Sequence, residues 1–440
     1  MTDRRSRVAW IGVAVALGLI MLAMLVPVVS GQNVHVRWFP PLHAEWAPRV
    51  GPGTIPALLL GALAIAFAPR ATRLLRWRWL LLGSFILALA WMLSLATVDG
   101  LDGIGHILDT QYEYLRTARS VTDVGATFRE YVSRIPLDSV DNWPVHIAGH
   151  PAGALLFFVV LVKLGLGSGL GAGLAVIVIA ATTPVAVLLT VRRLATEELA
   201  RRAAPFLVMG PAAIWMAVSA DAVFGAVAAW GLCCLAMAAT SVRRLAMVGW
   251  SVAAGLLLGY CVMFSYGLPL LGVLAVAILA LARNWRPLPI AAVAAVGVVV
   301  AFAVAGFAWW EAYPVLVDRY WDGIASRRPS WYWIWGNLAA LVFSAGPLVG
   351  AAAAVALRDA RPIRSVLTRP VVVLAVAALA TVALADLSGM SKAEVERIWL
   401  PFVPWLLVST ALLSDRWRRL GFPAQVVFAI VVQHLLFTGW

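Results

Sequence analysis

Long apolar runs alternate along the chain with short, arginine-rich breaks. Thirteen runs read as membrane-crossing helices: 8–30, 54–69, 78–97, 169–191, 204–219, 222–240, 245–263, 266–283, 288–309, 333–357, 370–388, 398–414 and 421–438. A segment in lipid must pair its own backbone groups, so it crosses as a helix or within a closed barrel. These runs lack the two-residue alternation of barrel strands, which leaves helices. The expected fold is all-α, a polytopic membrane bundle of about 13 transmembrane helices with juxtamembrane helices outside it. The first run has a basic flank and is longer than a signal-peptide core, so it reads as an uncleaved first helix.

The breaks fix an orientation. Basic residues cluster at Arg4–Arg7, Arg70–Arg78, Arg192–Arg202, Arg243–Arg244, Arg283–Arg286, Arg358–Arg369 and Arg416–Arg419. Basic loops stay cytoplasmic. Placing every cluster inside gives a cytoplasmic N-terminus and an extracytoplasmic C-terminus. The clusters hold 22 of the 34 basic residues but 5 of the 21 acidic ones. The net charge of +13 is therefore a topology signal rather than a nucleic-acid surface.

One apolar run is excluded from the spans. Counting 151–166 would put the Arg192–Arg202 cluster outside; the run is short and carries Lys163. It reads as an interfacial helix on the outer leaflet. Residues 98–168 then form one long outer segment, which marks a functional loop by position. Residues 310–332 form a second, aromatic-rich outer loop suited to the headgroup level. The chain divides into an N-terminal helical hairpin region (1–77), a core (78–414) containing the outer loop 98–168, and a C-terminal helix (415–440).

Composition adds limits. Of 440 residues, 62% are hydrophobic and 12% charged, with a mean hydropathy of +0.90. That excludes an ordinary soluble domain. The three cysteines lie inside apolar runs, which argues against a disulfide frame. The cytoplasmic loops are short and carry no Walker-type glycine loop, so no nucleotide-hydrolysing domain fits there.

Candidate chemistry gathers on the outer side. Asp99, Asp109 and Glu113 follow the outer end of the third run. A general base needs a carboxylate within reach of an acceptor hydroxyl, although such acids also suit a solvated helix face. Asp221, in "SADAVF", sits at the outer boundary, where an acid either caps a helix or faces a site. In "NWPVHIAGHPAG", His146 and His150 share a helical face. The segment lacks the glutamate of a zinc-binding HExxH motif and a third ligand. Pro151 suits a helix start, which puts His150 at an N-terminus where backbone N–H groups favour anions. Arg397, in "SKAEVERIWLPFVPWLL", either grips a phosphate with its planar fork or snorkels to the headgroups.

Taken in order, these segments resemble the GT-C superfamily of integral membrane glycosyltransferases. The resemblance covers roughly residues 78–410 and is of a bacterial, actinomycete-like kind. It implies a polyprenyl-phosphate sugar donor, a glycan or lipid acceptor, and transfer on the outer side of the membrane. By match, His150-Pro151 corresponds to the family's His-Pro pair, Asp221 to its second acid and Arg397 to its phosphate ligand. His146 is grouped with the phosphate-binding residues. The catalytic acid of the first outer loop is taken as Asp109, with Asp99 and Glu113 next. Ala152 replaces a second proline, and two extra spans precede the core. The sequence assigns no cofactor, and a divalent ion is compatible with oxygen ligands such as Asp109 and Asp221. The rival reading, a transporter or lipid flippase, predicts ionisable residues at mid-membrane and broken helices in paired halves. A scaffold leaves the acidic outer segment unexplained.

Overall fold

A computed structural model describes residues 2–439. The molecule is a helical bundle; two short strands, Glu45–Trp46 and Leu436–Phe437, pair antiparallel at one end. Among the described residues, eight helices are long and apolar enough to cross a membrane. They are Arg4–Ser30, Thr54–Leu74, Trp77–Asp99, Gly169–Leu194, Ala220–Ala239, Arg244–Phe264, Pro287–Val304 and Pro370–Leu387. Each coincides with an expected run.

The other five expected runs are helical but short, broken or amphipathic. Residues 204–219 fall in Glu197–Met209 and Ala213–Met216, parted at Gly210-Pro211. Residues 266–283 form Leu268–Ala282, and 398–414 contain the short helix Val403–Leu412. Residues 421–438 belong to Asp415–Leu435, which starts with a charged turn. The run 333–357 splits into Ser330–Ala345 and Leu348–Asp359, bent by 109°. Proline and glycine account for these interruptions: proline removes a backbone donor, and glycine accepts turns that other residues resist.

The 109° bend shows how a broken helix persists in an apolar bundle. Gly346 turns the chain at φ +82°, and its missing side chain lets Gln425 approach. The Gln425 amide donates to Ala345 O (2.9 Å) and accepts from Leu348 N–H (3.3 Å). One side chain thus satisfies a carbonyl and an N–H exposed by the break, groups that are costly to leave bare in lipid.

The first helix packs on Leu348–Asp359, and Gly12 and Gly350 bring the two backbones close together. Small residues permit such packing between membrane helices. The second helix packs instead on Trp77–Ala96, Glu197–Met209 and Asp415–Leu435.

The arginine clusters meet at one end of the bundle. Arg5 pairs with Asp359 at 2.7 Å, and Arg201 donates to Thr72 O at 2.6 Å. Arg192 lies over the Trp77 ring, and Trp417 bonds Ser6. Arg193 reaches Met237, and Asn284 donates to Ala239 O. Residues far apart in sequence thus share one basic face, and the outer segments close over the opposite end.

The helix Ala152–Lys163 is too short to cross, as expected, but it does not ride on the surface. Ala152, Ala154, Leu155, Phe158 and Val159 are buried against Tyr114–Ser120 and Arg244–Phe264.

Candidate functional site

The end opposite the arginine clusters holds a buried group of charges drawn from four segments. The loop 388–402 supplies Lys392, Glu394, Glu396 and Arg397; the first turn of Ala220–Ala239 supplies Asp221. The first outer segment supplies Glu113, His146 and His150, and the second supplies Arg328.

Arg397 organises the group. It is buried and pairs with Asp221, and its Nη2 lies 3.4 Å from Glu394. Asp221 sits in the first turn of its helix, where the helix dipole favours a negative charge. Arg328 donates to His35 O, Lys392 O and Glu394, so it ties three stretches of chain together. Lys392 lies over the Trp321 ring and donates to Ala325 O and Arg328 O. Burying several charges is costly unless each is paired, and here cations and acids alternate.

Glu113 and the histidines form the second half. His146 Nδ1 donates to Glu113 Oε1 at 2.5 Å. Glu113 is 3% exposed, and among the described residues its Oε2 has no hydrogen-bond partner. Burial raises its pKa, but the nearby His146, Arg397 and His150 outweigh this and lower it overall, so the carboxylate is ionised. His150 Nδ1 donates to His146 O at 2.7 Å, which leaves Nε2 as the acceptor of the neutral ring. Burial keeps His150 below its ordinary pKa despite nearby Asp221. Its ring lies between Tyr114 and Phe224, one helical turn from Asp221.

The "NWPVHIAGHP" segment owes its shape to buried aromatics. Tyr114 donates to His146 O, and Tyr131 donates to the carbonyls of Ile147 and His150. Trp143 donates to Tyr131 O, and Arg134 covers the Trp143 ring at 3.5 Å. Two of these bonds use carbonyls of a one-turn helix, Val145–Ala148, and a third holds the backbone at His150, which fixes the stretch that carries both imidazoles.

Of the expected site residues, Glu113, His146, His150, Asp221 and Arg397 come together. Asp109 and Asp99 do not join them. Asp109 is held by both Nη atoms of Arg119 at 2.8 Å, and Asp99 pairs with Arg49 at 2.5 Å and with Gln433. Both are partly exposed, each neutralised by its own arginine. Asp109 and Asp221 thus take separate arginines instead of sharing one ion site, and among the described residues no group of three His, Cys, Asp or Glu side chains is placed to hold a metal. Sequence reasoning missed Arg328, Tyr114 and Tyr131, and it gave Glu394 no role. Arg328 had a signal: it lies in the loop 310–332, which the sequence reading takes as outer, against the inside bias of basic residues.

Compared with known proteins, the chain matches no family model and no curated protein.

Proposed function

We propose that the buried charge group is the active site of a membrane glycosyltransferase of GT-C type, using a polyprenyl-phosphate sugar as donor. In this reading the end lies on the extracytoplasmic side of a bacterial plasma membrane, a placement that the clustering of arginines at the opposite end supports. The observation that carries the reading is Glu113: a buried, ionised carboxylate with one oxygen unpartnered, beside the Arg397 guanidinium.

In this reading the acceptor hydroxyl donates to Glu113 Oε2. The acceptor oxygen attacks the sugar's anomeric carbon as the bond from that carbon to the phosphate oxygen breaks. The electron pair leaves on the phosphate, and the hydroxyl proton passes to Glu113. Arg397 meets the growing phosphate charge. Glu113 takes the role that the sequence reading gave first to Asp109, because Asp109 and Asp99 are committed to arginines elsewhere. His146 orients Glu113, and His150 offers Nε2 to the polar part of the substrate.

The test is transfer of labelled sugar from a defined polyprenyl-phosphate donor by purified protein. Wild type should form a new glycosidic bond and Glu113→Gln should not; normal transfer by Glu113→Gln removes the assignment.

A transporter is the second reading, favoured by the broken span at Gly346. It requires uptake of a labelled solute into vesicles without bond formation.

A further inference from the structure

Glu394 differs from the other acids of the group. Its Oε1 faces Arg328 Nη2 at 3.2 Å, and its Oε2 faces Arg397 Nη2 at 3.4 Å. One carboxylate thus spans two guanidiniums and reaches each at a distance longer than a good charge-assisted bond, about 2.8 Å. Its side chain is 21% exposed, against 3% for Asp221, 5% for Arg397 and 8% for Arg328. Glu394 is therefore the member that opens toward solvent, while Asp221 is locked on a helix. The backbone beneath it is unusual: Ala393 and Glu394 both take positive φ, +69° and +60°. Non-glycine residues seldom hold that conformation, so the surroundings impose it here.

Two planar donors converging on one pair of anionic oxygens also describe how arginines grip a phosphate. We infer that Glu394 is a built-in counter-ion occupying the anion position between Arg328 and Arg397, and that a phosphate monoester or diester binds by displacing it. The inference rests on the reading of Arg397 as a phosphate ligand and adds Arg328 as the second arm. Without ligand, the carboxylate stands between the two buried guanidiniums and offsets their mutual repulsion. With ligand, a phosphate takes over both guanidiniums and Glu394 turns outward, so binding affinity is set by competition.

The test uses the full-length protein in detergent and farnesyl monophosphate as the probe. Glu394→Gln removes the competing charge and keeps the side chain's size. It should bind the probe about tenfold more tightly than wild type, roughly the effect of 1.4 kcal/mol. Glu394→Asp is one methylene too short to bridge both arginines and should also tighten binding, which covers the case in which the glutamine variant does not fold. Adding Arg328→Gln to Glu394→Gln should weaken binding at least tenfold. Unchanged or weaker binding by both Glu394 variants overturns the counter-ion role. Unchanged binding after loss of Arg328 overturns the second arm, and no binding by any variant overturns the anion site. Sugar transfer is scored separately. Tighter probe binding without transfer leaves this inference standing and removes the enzyme reading; transfer without tightening does the reverse.

Discussion

The two ends of the bundle handle charge in opposite ways. At one end, arginines form solvated contacts such as Arg202–Glu198 and Arg192–Glu197, with side chains substantially exposed. At the other, Arg397, Asp221 and Glu113 are almost fully buried. Exposed pairs contribute little, typically below about 1 kcal/mol. Buried charges incur a large desolvation cost and persist where neighbours compensate them or function requires them. The basic end therefore reads as an address, fixing which way the chain sits. The acidic and imidazole end reads as a site.

Substitutions sharpen that contrast. The largest effect belongs to Glu113→Gln, which should lower transfer by about 10²- to 10⁴-fold, the usual worth of a general base. Asp109→Asn in the same assay should stay within a few-fold of wild type, because Arg119 already occupies that carboxylate. Equal losses in both variants would erase the distinction between Glu113 and Asp109.

Next comes the buried pair. Asp221→Ala strands part of the Arg397 guanidinium and should cost about 3–5 kcal/mol in detergent unfolding. Arg202→Gln at the basic end should cost less than about 1 kcal/mol. Similar costs would mean that the ends do not differ as described.

The broken span tests the bundle itself. Gln425→Leu leaves Ala345 O and Leu348 N–H without their partner, at roughly 1–3 kcal/mol for each group. A variant as stable as wild type would show that Gln425 does not hold the bend.

A smaller, pH-dependent effect comes from Glu396. Burial, reinforced by Glu394, raises its pKa from 4.5 to about 8. The folded protein then binds more protons than the unfolded chain between those values, so stability falls as pH rises from about 4.5 to about 8. Glu396→Gln should flatten this slope and unfold several degrees above wild type at pH 8.5. An unchanged slope would contradict the buried neutral acid.

Much of this was legible in the sequence, for physical reasons. Apolar runs must become helices in lipid: eight of the thirteen became single helices long and apolar enough to cross, and the other five formed shorter or broken helices. The arginine clusters met at one end because charge cannot follow the helices inward. The breaks were harder to see: hydropathy runs straight through Gly346-Pro347, and only geometry shows Gln425 filling the gap. The choice among Asp99, Asp109 and Glu113 was not legible. They lie within one turn-rich stretch, and their fates depend on distant partners: Arg49, Arg119 and His146. The Arg328–Glu394 contact joins residues 66 positions apart and leaves no local trace.

The most direct test of the account is sidedness. Val140, in the outer segment, and Val242, beside Arg243, are both fully open to solvent, and all three native cysteines are buried. Single cysteines placed at these positions can be labelled with a membrane-impermeant maleimide on intact cells. The account predicts that Val140→Cys labels at once and Val242→Cys only after the membrane is breached. The reverse pattern would put the charge group on the cytoplasmic side and contradict it.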